Sequence, residues 1–419
     1  MATTAPEGGR TAPGGTARLG GWKPLTLLLT LLVLLNYVDR GALGIAAPGL
    51  KDEFHLSALQ FGVALSAFAW VYAPAQFAVG WLSDRFCVYR LVAVGLAIWA
   101  VSTMLTATAT GLAMLVALRI GLGIGEGVAF PSISKMIAAH VPQERRGLAN
   151  AWVAAALAAG PALGTLAGGH ILNDYGWRAI FLIFGAITLL WLMPWHFVSR
   201  THWHVAGQHR EPSVAMRDIL RRRAVWTMGI GHFCNTYAFF FLLAWLPLFL
   251  VKQRGLSILE MTGITTSVFA LQAVCALLWG WLSDRLVHAG HDEGRLRKAF
   301  IAASLTCSAI AVLGLSQADT TASIEGWLLL AGAGAGPAGT QPYAIAQIFA
   351  GRRASGSWVG AVNGIGNTSG IVGPLITGAI VDRTGSYVAA FLLAAGISAF
   401  GALWWLFAVP KVEPVAAFH

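Results

Sequence analysis

Gly80-Trp81-Leu82-Ser83-Asp84-Arg85 recurs residue for residue as Gly280-Trp281-Leu282-Ser283-Asp284-Arg285, at an offset of 200. Each copy closes a long apolar run with a small residue, an acid and a base. Two further correspondences follow in the same order. Gly121, Gly123, Gly125 and Pro131 return as Gly332, Gly334, Gly336 and Pro342, offset 211, and Gly147, Asn150, Gly160 and Pro161 return as Gly360, Asn363, Gly373 and Pro374, offset 213. Matching order and spacing over this length indicate one large unit present twice.

Around these motifs the chain is apolar. Of 419 residues, 57% are hydrophobic and 11% charged, against about 25% charged in soluble domains, and the mean hydropathy is +0.67. A water-soluble globule is excluded. A spanning helix takes about 20 apolar residues, so twelve use roughly 240 and leave room for connections. Apolar runs punctuated by charges, Gly and Pro predict helices at 22–48, 58–82, 90–109, 112–139, 146–171 and 177–198, then at 224–250, 259–282, 298–316, 326–349, 355–381 and 387–409.

The expected fold class is therefore an all-α membrane protein of twelve transmembrane helices in two parallel six-helix repeats. A tail, residues 1–21, is rich in Gly, Thr, Ala and Pro and cannot build a core. Bundles at 22–198 and 224–410 flank a polar linker at 199–223, and a second tail covers 411–419. The run Leu25 to Leu35 resembles a signal-peptide core, but Asn36-Tyr37-Val38-Asp39-Arg40 follows it instead of a small-residue cleavage site. Parallel repeats of this size describe a major transporter architecture, with substrate held between the halves near the bilayer midplane.

The net charge of +10 reports topology. With the N-terminus placed in the cytoplasm, 20 of the 28 Lys and Arg fall on that side, 3 lie within helices, and only Lys51, Arg178, Lys252, Arg254 and Arg383 lie opposite. This positive-inside bias puts both termini in the cytoplasm. Basic residues scattered between apolar segments make no nucleic-acid face. Cys87, Cys234, Cys275 and Cys307 have no paired spacing that would hold a metal or form a redox dithiol. With 22 Arg against 6 Lys, the expected location is the plasma membrane, as a bacterial inner-membrane protein.

Ionisable residues inside a bilayer cost about 2.5 to 3.5 kcal/mol each on insertion scales, so they need partners and a purpose. Helix 1 carries Asp39 and Arg40, and helix 4 carries Arg119 and Glu126. Arg119 and Glu126, two turns apart, share a helix face, as do Tyr37 and Arg40. The positions that correspond in the second repeat are Phe239, Phe240, Leu330 and Pro337, all apolar. A duplicated fold did not require the charges, so the first half carries an added function. A membrane-buried carboxyl beside an Arg changes its proton affinity according to whether that Arg is otherwise occupied. An anion that takes the Arg favours protonation of the acid, and loss of the proton favours release of the anion.

The motif at 80–85 resembles the signature of the major facilitator superfamily, Gly-x-Leu-x-Asp-Arg followed by Gly and basic residues. Gly80, Leu82, Asp84, Arg85 and Arg90 match, while Cys87, Val88 and Tyr89 depart from it. The charged cluster is similar to that of the superfamily's anion:cation symporters, which include galactonate, hexuronate and glucarate transporters and sialin. Asn36, Tyr37, Asp39 and Arg40 match that family's helix 1, and Arg119 and Glu126 its helix 4. The resemblance implies that Arg40 binds a substrate carboxylate, with Tyr37, Tyr72 and Arg119 beside it, while Asp39 and Glu126 handle protons. Asp84, Arg85, Asp284 and Arg285 are the implied gate residues. An Asp there pairs with an Arg or caps a neighbouring helix.

The second half offers uncharged polar groups: Asn235, Tyr237, Gln341, Tyr343, Asn363, Asn367, Thr368 and Ser369. Gln341, Asn363 and Asn367 are the candidates for holding the hydroxylated body of a sugar acid. Gly121-x-Gly123-x-Gly125-x-Gly127 is read as close helix packing, because Glu126 stands where a dinucleotide fingerprint needs Gly. The expectation is a monomeric, proton-coupled symporter of a small organic anion. Its partners are that anion and the lipid bilayer, with the transported proton as coupling ion and neither cofactor nor metal. An enzyme is not expected, since no nucleophile, metal or cofactor constellation is present. Two alternatives stay open at this point. Gly160-Pro161-Ala162-Leu163-Gly164 resembles the helix 5 motif of proton/drug antiporters, and Phe239, Phe240 and Phe241 fit an aromatic carboxylate.

Overall fold

A computed structural model of the chain describes residues 22–142, 145–199 and 214–415, and these are helical without a strand. The tail at 1–21, most of the linker at 199–223 and the last four residues lie outside the described residues. The helices are α1 (Trp22–Arg40), α2 (Ala42–Phe54), α3 (Ala58–Arg85), α4 (Val88–Thr106), α5 (Leu112–Gly127), α6 (Ala129–His140), α7 (Arg146–Tyr175), α8 (Trp177–Leu190) and α9 (Leu192–Ser199). After the linker come α10 (Met216–Leu220), α11 (Arg223–Leu248, continued by a π turn at Phe249–Gln253), α12 (Ile258–His288), α13 (Glu293–Ser316), α14 (Thr321–Asn367), α15 (Ser369–Thr384) and α16 (Val388–Phe407).

Among the described residues, eleven helical segments are long and apolar enough to cross a membrane. The predicted helix at 326–349 falls on the first part of α14, which is not one of them. Its Gly-rich run, Pro337, Thr340, Gln341 and Pro342 dilute its hydropathy. The predicted break between 349 and 355 is a kink inside α14 at Gly351, whose φ of 59° and ψ of −168° lie in a region that favours glycine. Large apolar side chains such as Leu163, Leu166, Leu277 and Phe407 point outward, 48%, 43%, 60% and 81% exposed, and suit a hydrocarbon surround.

Local rules explain several starts and stops. Ser57 caps α3 in a reciprocal box with Gln60, and Ser257 caps α12 in the same way with Glu260. The offset between the two boxes is again 200. Glycines let α4 and α5 touch backbone to backbone: a Cβ on Gly125 would sit 2.5 Å from the Gly95 carbonyl oxygen. A Cβ on Gly123 would sit equally close to the Phe68 carbonyl of α3. The glycine run of helix 4 is thus a packing surface, as its sequence indicates.

Helices before and after the linker are joined at one end of the bundle. The Asp382 carboxylate at the end of α15 accepts from Ser57 Oγ at 2.7 Å, Ala58 N at 2.7 Å and Leu59 N at 2.8 Å, so it caps α3 in trans. Asp52 meets Lys252 across the same seam. Glu53, within the first set, binds Trp177 Nε1 at 2.8 Å and Arg178. A Cβ on Gly62 or Gly378 would collide with the backbone of the facing helix. At the opposite end Arg297 of α13 ties α12, α13 and α14 together. Its Nη2 lies 3.4 Å from Asp284 and 2.8 Å from Glu293, and its Nη1 donates to Gln341 Oε1 at 2.6 Å.

Candidate functional site

α1 ends at Arg40, and the chain resumes as α2 after the single residue Gly41. Similar interruptions occur at Val128, two residues after Glu126, and at Thr368, just after Asn367. Breaks of this kind sit beside the polar residues that the sequence singles out. Helix irregularity at membrane depth is tolerated where the backbone is buried in protein or lines a cavity.

Arg40 is the centre of the first cluster. It is 9% exposed, and its Nη2 donates to Glu126 Oε2 at 3.0 Å and to Asn36 Oδ1 at 3.2 Å. Its guanidinium carbon lies 4.9 Å from the Tyr37 ring centroid, 4.8 Å from that of Tyr72 and 5.3 Å from that of Phe68. Phe68 and Tyr72, one turn apart on α3, are stacked at 4.8 Å. Three aromatic faces and one carboxylate thus hold a charge that the bilayer would otherwise penalise. Arg119 lies over the other part of this wall, 5.0 Å from the Phe68 centroid, and its Nε makes no hydrogen bond. Glu126 is 1% exposed and uses only one of its two oxygens, since Oε1 has no hydrogen-bond partner.

Asp39 belongs to a different environment. The residue before Arg40 projects about 100° round the helix, and its carboxylate turns toward α4 and α8. Oδ2 accepts from Trp99 Nε1 at 2.7 Å and from Thr188 Oγ1 at 3.5 Å, whereas Oδ1 is buried without a hydrogen bond. Asp39 also borders a partly open, apolar groove of about 350 Å³ lined by Leu35, Val38, Leu163, Leu166, Ala167, His170, Phe184 and Ile187. The two candidate proton carriers therefore occupy separate surroundings. Only Glu126 touches Arg40.

The second cluster is neutral. Asn363 Oδ1 accepts from His232 Nε2 at 3.2 Å and from the Tyr343 hydroxyl at 3.4 Å, and the His232 and Tyr343 rings meet edge to face at 5.9 Å. Asn367 Nδ2 donates to the Asn363 carbonyl at 2.8 Å. Of this cluster, Tyr343 lies within electrostatic range of Arg40, Tyr37 and Tyr72.

Gln341 is placed elsewhere. Its Oε1 is held by Arg297 and lies 3.4 Å from Ser283 Oγ, next to the second copy of the duplicated hexapeptide. Asp284 of that copy meets Arg297, and Arg285 lies over the Trp281 ring at 5.3 Å. The side chains of Asp84 and Arg85 fall outside the described residues. Sequence reasoning did not find Trp99, Phe68, Arg297 or Asp382. Of these, Arg297 carried a signal, as a base 13 residues beyond an acid at a duplicated helix end.

The sequence profile of the Major Facilitator Superfamily matches residues 29–367 and 261–418. The hexuronate transporter of Bacillus subtilis strain 168 is 31% identical over 391 residues, covering 91% of this chain and 93% of that protein. The D-galactonate transporter of Escherichia coli O6:H1 is 27% identical over 429 residues, covering 96% and 99%. A solved structure with a similar fold is that of a bacterial homologue of the human lysosomal transporter Spinster, inward-facing and unoccupied. The two share 17% identity and a TM-score of 0.78 over 94% of this chain and 98% of that one. The chain belongs to the Major Facilitator Superfamily and is a transporter rather than an enzyme.

Proposed function

We propose that the protein is a proton-coupled symporter that brings a small organic anion, a sugar acid, across a bacterial inner membrane by alternating access. In this reading two parallel six-helix units, 22–198 and 224–410, rock about a site at mid-membrane, and both termini lie in the cytoplasm. The observation that carries it is the buried Arg40–Glu126 pair at 3.0 Å, framed by Tyr37, Phe68 and Tyr72, with Tyr343 of the neutral cluster within electrostatic range. An anion site with an exchangeable internal carboxylate and a hydroxyl-reading wall suits a polyhydroxylated monocarboxylate. The names of the hexuronate and galactonate relatives support the same class.

The cycle follows from competition for one guanidinium. A proton arriving on Glu126 releases Arg40, and the substrate carboxylate takes its place under the aromatic faces. After the molecule opens inward the proton leaves, Glu126 reclaims Arg40, and the anion is expelled. Arg119 holds positive potential beside the site, and Asp39, bonded to Trp99 and Thr188, takes a second proton away from the anion. The Asp382 cap on α3, which joins a helix of the second unit to one of the first at one end, is a contact that one conformation makes and the other breaks. One proton per monoanion is electroneutral, and a second adds a drive of about 2.3 kcal/mol per 100 mV.

The test is uptake of labelled galactonate, glucuronate and an aromatic carboxylate into proteoliposomes, with and without an inward proton gradient. Gradient-driven uptake of the sugar acids, absent in Arg40→Ala, is expected. Uptake of only the aromatic acid would replace the substrate class. Proton-driven extrusion of a lipophilic cation, with no acid uptake, would replace symport by antiport.

A further inference from the structure

A proline inside a helix has no N–H to give to the carbonyl four residues earlier, and its ring crowds that carbonyl. α14 contains two such residues, Pro337 and Pro342, so the carbonyls of Ala333 and Ala338 lose their ordinary partners. Each is met by a side chain from a different neighbouring helix. Trp279 Nε1 of α12 donates to the Ala333 carbonyl at 3.2 Å, and Asn235 Nδ2 of α11 donates to the Ala338 carbonyl. A carbonyl only accepts, so the Asn235 amide is turned with its NH2 end toward α14. Ala338 is 2% exposed, so without that donor its carbonyl would be shut away from water as well as from its helix partner.

The duplicated fold contains its own comparison. Pro131 is the counterpart of Pro342, and Leu35, 200 residues before Asn235, stands where the second repeat has its amide. Leu35 cannot donate, and the first-repeat helix is interrupted at Val128, between α5 and α6. The position that corresponds to Val128 is Gly339, and α14 passes through it without a break. The same proline thus follows a jointed stretch of helix in one half and a continuous one in the other. The residues around Pro342 belong to the site and its surroundings. Tyr343 bonds Asn363 at 3.4 Å and lies within electrostatic range of Arg40, and Gln341 is held by Arg297 at 2.6 Å.

We propose that Asn235 is a positioning residue. It supplies the hydrogen bond that Pro342 withholds, keeps the part of α14 beyond the proline in line with the rest of the helix, and so holds Tyr343 beside the anion site. It acts through the backbone of α14 and not on the cargo. The role of Tyr343 in transport rests on the reading above, whereas the clasp at Ala338 does not.

A clasp that answers a missing N–H is needed only while the proline is there, which a double-variant cycle tests. Asn235→Leu copies Leu35 and removes the donor. Pro342→Ala returns a backbone N–H that bonds the Ala338 carbonyl, so Asn235 has nothing left to supply. The wild type, both single variants and the double variant are reconstituted as full chains and assayed for uptake of labelled galactonate. For Asn235→Leu, KM is expected to rise about tenfold, more than for loss of the Tyr343 hydroxyl, because the whole segment beyond Pro342 shifts, while the maximal rate stays within about threefold. In the Pro342→Ala background the same substitution should change KM by less than about twofold. An effect equally large in both backgrounds would put the amide on the cargo and overturn the proposal. A wild-type KM in Asn235→Leu overturns it too.

A second readout needs no transport. Amide hydrogen exchange of the full chain in nanodiscs is followed over residues 343–350. Exchange there is expected to quicken about tenfold in Asn235→Leu, as the segment beyond the proline opens, and to return to within about twofold of the wild type in the double variant. Wild-type protein that carries no sugar acid sinks the transport reading and leaves the exchange pattern to decide the clasp. Unchanged exchange in Asn235→Leu overturns the clasp whatever the protein carries.

Discussion

The charged cluster around Arg40 and the neutral cluster around Asn363 are built by different means. Around Arg40, every contact is made by its charge: the Glu126 carboxylate at 3.0 Å, the Asn36 amide oxygen at 3.2 Å, and the rings of Tyr37, Tyr72 and Phe68 within 5.3 Å. Around Asn363, the contacts are neutral hydrogen bonds of 2.8 to 3.4 Å from His232, Tyr343 and Asn367. A buried ion pair is strong when intact and expensive when one partner is lost, whereas each neutral bond contributes about 1 kcal/mol net. One side therefore acts as a switch with two states, and the other as a graded reader of shape. Energy from the proton enters on the first side, and discrimination among acids is set on the second.

The largest effect is expected for Arg40→Ala. Uptake should fall by about 10-fold to 150-fold, because a charge-assisted contact contributes about 1.5 to 3 kcal/mol and no other group substitutes for it. Stability should fall too, by about 3 to 5 kcal/mol if Glu126 stays charged without its partner. The double variant Arg40→Ala/Glu126→Gln separates the two losses. Thermal unfolding should return toward the wild type, and uptake should not. Full uptake by the single variant would show that the two clusters do not divide the work as described.

Next in size is Glu126→Gln, which keeps the side chain's shape and removes its charge. With no carboxylate to compete for Arg40, exchange of substrate across the membrane should persist within about tenfold of the wild type, since the carboxylate site is intact. Accumulation driven by a proton gradient should vanish. Wild-type uptake should rise as external pH falls, because protonation frees the Arg, and this rise should be absent in the variant. Asp39→Asn gives the contrast within the same helix. Asn still accepts from Trp99, so KM should stay within about threefold while gradient-driven accumulation drops. Counterflow beside gradient-driven uptake measures both.

How much of this was legible follows from which side is considered. Charges in an apolar run announce themselves by their cost, so Asp39, Arg40, Arg119 and Glu126 stood out, as did the duplicated hexapeptide. Helical spacing correctly put Tyr37 and Arg40 on one face. It could not reveal that Asp39, adjacent in sequence, would join Trp99, 60 positions away, because that contact depends on how α1 meets α4. Polar residues of the second half carry no comparable signal. Gln341 and Tyr343 lie two residues apart in α14, but one is held by Arg297 near the duplicated motif and the other lies within range of Arg40. Side-chain direction and helix depth decide such assignments, and composition records neither.

The smallest effects, on the neutral side, are the ones that sharpen the comparison most. Asn363→Ala removes the group that two donors address and should raise KM for a hydroxylated acid about tenfold, with the proton-driven accumulation ratio unchanged at saturating substrate. Tyr343→Phe removes a single hydroxyl from a 3.4 Å contact, at the long edge of hydrogen bonding. His232 still holds Asn363 Oδ1 from the other side, so the orientation of the amide survives and KM should rise only about twofold to threefold. Saturation curves at fixed pH gradient distinguish these shifts from changes in drive. If Tyr343→Phe instead abolished accumulation, the hydroxyl would be acting on Arg40 across the site, and the separation between a switching side and a reading side would fail at the residue where the two come closest.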